Sequence, residues 1–252
     1  MKLLSKNILK QSVRNNWKLW LVIAAVLCFF ITVLTIAVQS SAGNAPINPN
    51  NPMGSILSVY GMMLFGMQGV LIMLLYSVII GNKLVASEID RGTMSFILNT
   101  PPTRKQLIFS KALFYIVSIL AIIVLMGVFG TIICSVVGAD MDYGKLWTLA
   151  LGLFLLTFAI SGICFAASCW FNKSSHSLMV GAGLPVAFWL CNMFKEIPNL
   201  EFLKYISINT LFDTSAVISG SGFIIQFVAL FVIGVALYAV GILKFLKKDL
   251  PL

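Results

Sequence analysis

Long apolar runs alternate with short polar ones along this chain, and the runs are of similar size. Leu19–Val38, Ile56–Ile80, Ala112–Val137, Leu146–Trp170, Leu178–Phe194 and Phe223–Leu243 are each predominantly apolar. About 20 such residues, rising 1.5 Å each, cross a bilayer core as a helix. The pattern therefore predicts an all-α integral membrane protein with six transmembrane helices in one transmembrane domain spanning residues 1–252. The fifth run is the least uniform, with Gly181 and Gly183 near its start and Pro185 and Asn192 within it. Small residues, "SSAGNA", follow the first run as they would a secretory signal. That run is longer than the roughly 7–15 residues of a signal core and a long basic segment precedes it, so an uncleaved anchor is expected.

Composition agrees with the pattern. The 252 residues are 60% hydrophobic and 10% charged, with a mean hydropathy of +1.00, whereas soluble domains are about 25% charged. The net charge of +9 could serve nucleic acid, but its distribution favours a membrane surface. With both termini on one side, that side holds Lys2, Lys6, Lys10, Arg14, Lys18, Lys83, Arg91, Arg104, Lys105, Lys111, Lys173, Lys244, Lys247 and Lys248. The other holds Lys145, Lys195 and Lys204, so fourteen bases face three. By the positive-inside rule both termini are expected in the cytoplasm, at a plasma or inner membrane. Membrane lipids are expected partners and nucleic acid is not.

Lys2, Lys6, Lys10, Arg14 and Lys18 recur every four residues. On a helix they drift across an arc of roughly 160°, with Leu3, Val13 and Trp17 inside the same arc. An N-terminal interfacial helix with its bases on anionic headgroups is one expectation; docking of a partner protein is another.

The most informative polar stretch is "SEIDRGTMSFILNTPPTRKQLIFSK", between the second and third runs. Ser87–Asp90 extends the second helix, and Gly92 suits its C-terminal cap. Thr93 suits an N-cap, Met94–Asn99 is long enough for one to two helical turns, and Pro101-Pro102 stops them. Thr103-Arg-Lys-Gln106 fits the capping box that would launch the third span. The result would be a short helix with Met94, Phe96, Ile97 and Leu98 as apolar knobs, which need a covering surface. The residues alone leave this open against a polar loop folded onto its own helices.

The order Glu88, Arg91-Gly92-Thr93, Ile97-Leu98, Pro101, Arg104 and Lys111 resembles the loop after the second span of ABC-2-type ABC transporter permeases. The six-run layout, basic N-terminus and long segment before the last span resemble that family too. The resemblance implies that this loop is a coupling helix seated in a cleft of a separate ATP-binding subunit. It places Glu88, Arg91, Gly92 and Thr93 at the helix start, Met94, Phe96 and Leu98 in the contact, and Arg104 and Lys105 toward the ATPase or the headgroups. It also implies a second permease copy, two ATP-binding subunits, and ATP with magnesium bound by those partners rather than by this chain.

Chemistry that the sequence lacks points the same way. There is no G-x-x-x-x-G-K-[ST] loop, so ATP would have to be bound by another polypeptide. Asp, Glu, Lys, Arg and His are absent from the runs except near their ends, which counts against a proton-coupled carrier. His176 lies in a short turn with no acid or cysteine beside it, and Asp140, Asp142, Glu196, Glu201 and Asp213 are scattered on the side opposite the bases. No catalytic or metal-binding constellation is expected. Cys28, Cys134, Cys164, Cys169 and Cys191 lie in or beside apolar runs without metal-ligand spacing, and are expected to pack as small hydrophobes.

Gln68, Gln226 and Asn192 are the polar groups that stand out within the runs. Each suits either an interhelical hydrogen bond, worth about 0.6–2 kcal/mol, or a polar path for cargo. The pairs Ser77/Gly81 and Gly162/Ala166 permit close helix approach, within one chain or between two. Lys195–Gly222 is too polar to span but too apolar for a plain loop, and one or two short amphipathic helices in the outer leaflet are expected there. The combined expectation is a permease half that exports an amphipathic peptide, lipid-like compound or drug. The alternatives are an ion-coupled secondary transporter, a membrane-embedded lipid-modifying enzyme, and a non-transporting sensor or anchor subunit.

Overall fold

The computed structural model describes residues 5–42, 56–92, 103–138, 141–194 and 207–248. Among them there is no strand, and six helical stretches are long and apolar enough to cross a membrane. Helix α1 (Lys6–Ala42) joins the basic N-terminal segment and the first span without a break. The second span is composite: α2 (Ile56–Val59), a π-helical segment (Tyr60–Gln68) and α3 (Gly69–Leu84). A break at Val85 separates α3 from α4 (Ala86–Asp90). Three spans follow: α5 (Arg104–Val137), α6 (Tyr143–Trp170) and α7 (Ser174–Phe194). A 3-10 turn (Ile208–Leu211) and α8 (Thr214–Ser219) precede the last span, α9 (Phe223–Lys247).

Several helix ends follow from local side chains. Thr103 Oγ1 accepts from the Gln106 amide while Gln106 Oε1 accepts from the Thr103 amide, which is the expected capping box at the start of α5. Asp142 caps α6 through the Lys145 amide, and Asp213 caps α8 through the Ser215 amide. Gly92, at φ 69°, turns the chain out of α4 and donates to the Ile89 carbonyl at 3.0 Å.

Helix α6 is the centre of the bundle. Its most apolar window is 83% buried, against 17% for α7 and 22% for each of α1 and α9. Helices α3, α5, α7 and α9 pack around it, and α1 packs mainly on α5. Small residues set the closest approaches. A Cβ on Gly81 of α3 would sit 2.7 Å from the Cys164 Cβ of α6, and one on Gly162 of α6 would sit 2.9 Å from the Leu237 Cβ of α9. The close approaches foreshadowed by both small-residue pairs are thus made within one chain.

Two backbone irregularities are satisfied in place. Pro185 lies inside α7 and is buried; it has no N–H to give the Gly181 carbonyl one turn back. The Cys164 thiol donates to that carbonyl at 3.0 Å, so a neighbouring helix supplies the missing partner. In the second span, the Gly69 amide bonds the Leu64 carbonyl five residues back. A Cβ at position 69 would lie 2.2 Å from that oxygen, so this register of the π segment requires glycine there.

Gly81→Val should force α3 and α6 apart at a cost of about 1–3 kcal/mol, read as a lower thermal midpoint in detergent. Gly183→Ala should be nearly silent, since nothing lies within 4 Å of a Cβ there. Cys164→Ala should leave the Gly181 carbonyl unpartnered, costing about 1–3 kcal/mol. In the double variant with Pro185→Ala the helix regains its own N–H donor, and the loss from Cys164→Ala should shrink.

Candidate functional site

The break at Val85 exposes two backbone groups that an unbroken helix would pair. Val85 has φ −127° and ψ −65°. The Leu84 carbonyl accepts from the Lys111 ammonium of α5, and the Ala86 amide donates to Ser168 Oγ of α6 at 2.8 Å. The second span is therefore pinned at its break by the third and fourth. Lys111 also pairs with Glu88 of α4. The lysine side chain is 2% exposed and the glutamate 27%, so the cation is the more deeply enclosed partner. A buried ammonium without a counter-charge would carry a large desolvation cost, and Glu88 supplies that charge.

Other bonds draw the remaining spans to the same end. The Ser174 amide, at the start of α7, donates to Asp90 Oδ2 at 3.3 Å, and Asn82 Nδ2 donates to Ser174 Oγ at 2.7 Å. An acid at a helix N-terminus is electrostatically favoured. Lys83 Nζ donates to the Asn15 carbonyl of α1 at 3.0 Å, and the Ser5 amide donates to Ser110 Oγ at 3.0 Å. Lys248, just past α9, donates to the Cys169 carbonyl at 3.0 Å, satisfying an end carbonyl of α6. Partial burial lowers the Lys248 pKa from the ordinary lysine value, and the nearby Lys244 acts in the same direction. Lys244 itself lies 4.3 Å above the Trp170 ring. All six spans are joined at one end of the bundle, which also gathers most of the bases.

Behind the Glu88–Lys111 pair is a polar cavity of about 30 Å³, bounded by Ser12, Asn16, Lys83, Glu88 and Lys111 among others. It is large enough for a water molecule. Asn16 is 4% exposed; its Nδ2 donates to the Ser12 carbonyl at 2.8 Å, and its Oδ1 has no hydrogen-bond partner among the described residues.

The residues singled out from the sequence fall into three groups. Glu88 is turned toward Lys111, Arg91 and Gly92 are exposed at the end of α4, and Arg104 and Lys105 open α5 with the lysine exposed. Thr93, Met94, Phe96 and Leu98 lie outside the described residues, in the connection from α4 to α5. Gln68 ends the π segment, Asn192 lies near the end of α7 and Gln226 in the first turn of α9. Each has an enclosed carboxamide oxygen without a hydrogen-bond partner among the described residues, so no bond from these oxygens ties one span to another. Among the described residues, no three His, Cys, Asp or Glu side chains gather as metal ligands.

Sequence reasoning missed the burial of Lys111, which had been counted with the loop bases. A signal was available: Thr103 fixes the start of α5, and from there Lys111 shares a face with Leu107 and Phe114, four before and three after. Both are buried. Nothing comparable announced Ser168, because its partner amide is created by the break at Val85.

Six long apolar helices, bonded to one another at one end, define a helical membrane protein. The sequence profile described as ABC-2 family transporter protein matches residues 6–250, and the chain belongs to that family. No curated protein matches the chain.

Removing one side of the ion pair should have unequal consequences. Glu88→Leu strands the buried ammonium and should cost about 3–5 kcal/mol, whereas Lys111→Met leaves a carboxylate with access to water and should cost less. The double variant should lose less than the sum of the two, as read from thermal midpoints in one detergent.

Proposed function

We propose that the chain is the permease half of an ATP-driven exporter, with its basic end in the cytoplasm. A separate ATP-binding subunit docks on the connection between α4 and α5, where Met94, Phe96 and Leu98 present an apolar contact and Glu88, Arg91, Gly92, Thr93, Arg104 and Lys105 frame it. The observation that carries this reading is that α1, α5, α6 and α7 all bond to the helix ends that flank this connection, with α9 joined to them through α6. Displacement of the connection would reach α3 and α5 through Glu88 and Lys111, α6 through Ser168 and α7 through Asp90. ATP and magnesium would be bound by the partner subunits, two per assembly, as the family resemblance implies.

Two permease copies enclose the pathway in this proposal. The oxygens of Gln68, Asn192 and Gln226, unpartnered among the described residues, support it, because an enclosed acceptor within a span is costly and favours cargo or a second copy as its partner. The resemblance implies export of an amphipathic peptide, lipid-like compound or drug. A chain with no segment between spans long enough to form a further domain suits a compact cargo of that kind.

The test is co-purification with the ATP-binding subunit encoded nearest to this chain, followed by ATPase and transport assays in vesicles. Replacing Met94, Phe96 and Leu98 by serine should abolish binding and ATP-dependent transport while the chain still inserts. Unaltered coupled transport would overturn the proposal, as would transport by the purified chain alone. Gln68→Leu should change cargo preference or rate at least several-fold if that side chain lines the pathway.

A further inference from the structure

A second recess lies beside the polar cavity and differs from it in chemistry. Between α1 and α5 runs a groove of about 230 Å³ whose walls include Val13, Trp17 and Trp20 on one side and Phe114, Val117 and Ala121 on the other. Its lining is almost wholly apolar, with Asn16 and Ser118 completing it. Trp20 Nε1 donates to the Ser118 carbonyl at 3.2 Å, which fixes one indole against α5. Val13, Trp17 and Val117 remain 53%, 51% and 51% exposed. The groove begins where the basic part of α1 gives way to its apolar span, a depth at which tryptophan is favoured in membrane proteins.

Charge lies at one end of this groove. Lys6, Lys10 and Arg14 are all exposed, and α1 carries no acid. At 100° per residue, Lys6 and Lys10 project about 20° and 60° from Val13 around the helix axis, on the groove's side and nearer the basic end. Glu88, the acid close by, is engaged with Lys111. An apolar slot at interfacial depth, with bases at its mouth that have no acidic partner among the described residues, matches one kind of molecule in its surroundings, an acyl chain joined to an anionic headgroup.

We propose that this groove is a binding site for an anionic phospholipid of the adjacent leaflet. One acyl chain lies between Trp17 and Val117, and Lys6 and Lys10 hold the headgroup phosphate. The site is independent of ATP coupling and of transport direction, because it rests only on the faces of α1 and α5. A second copy of the chain is the competing occupant, and it would exclude both anionic and zwitterionic lipid.

The test uses the full chain carrying Trp147→Phe, Trp170→Phe and Trp189→Phe, so that Trp17 and Trp20 report alone. It is reconstituted in phosphatidylcholine vesicles containing graded fractions of phosphatidylglycerol or phosphatidylcholine with brominated acyl chains. Brominated phosphatidylglycerol should quench with about fivefold or greater preference. Lys6→Gln with Lys10→Gln should erase the preference, and Ala121→Phe should fill the slot and abolish the saturable quenching. Equal quenching by the two lipids, insensitivity to Ala121→Phe, or protection from both lipids would each overturn the proposal. Native mass spectrometry of the unaltered chain purified from phosphatidylglycerol-containing membranes provides a check free of mutation. About one retained phosphatidylglycerol per chain supports the site, and none overturns it.

Discussion

A lysine ammonium held almost wholly out of water, between a glutamate and a carbonyl left over from a broken helix, organises the basic end of this bundle. Lys111 cannot leave Glu88 without stranding a charge in a medium that solvates it poorly. It cannot leave Leu84 without freeing a backbone acceptor at the break. The geometry of the α3–α4 junction is therefore tied to the position of α5, and through Ser168 to α6. The polar bonds from Asp90, Lys83 and Lys248 extend the same arrangement to the outer helices.

Away from that end, the bundle depends on shape more than on charge. Lipid offers no hydrophobic drive for helix association, so packing and internal hydrogen bonds must do the work. The contacts of Gly81 with Cys164 and of Gly162 with Leu237 bring backbones together. The thiol of Cys164 serves both ends of this logic, as a small side chain facing Gly81 and as the donor that Pro185 withheld from Gly181. A cysteine expected to behave as a simple apolar filler thus has a directional bond as well.

Much of the fold was legible in the sequence because the bilayer imposes a length and a composition on each crossing. Thr103 and Gln106, and Gly92, marked helix ends through local chemistry that needs no tertiary context. The break at Val85 and the π segment before Gly69 were not legible, since hydropathy is the same whether a helix closes its bonds over four residues or five. The site was read less completely. Lys111 appeared as one more base in a charged connection, and its burial depends on which helices surround it. Asn16 was hidden for the same reason: a polar residue beside Trp17 reads as surface until α5 and the end of α3 close over it.

Helix α1 carries a further consequence. Its 37 residues run from the basic segment through the membrane without interruption, a length of about 55 Å, well beyond the roughly 30 Å of a hydrocarbon core. A jointed arm would absorb a disturbance at its first hinge; a continuous rod amplifies it with distance. A 10° swing about its basic end would carry the far tip roughly 10 Å sideways, enough to alter which neighbours that tip meets.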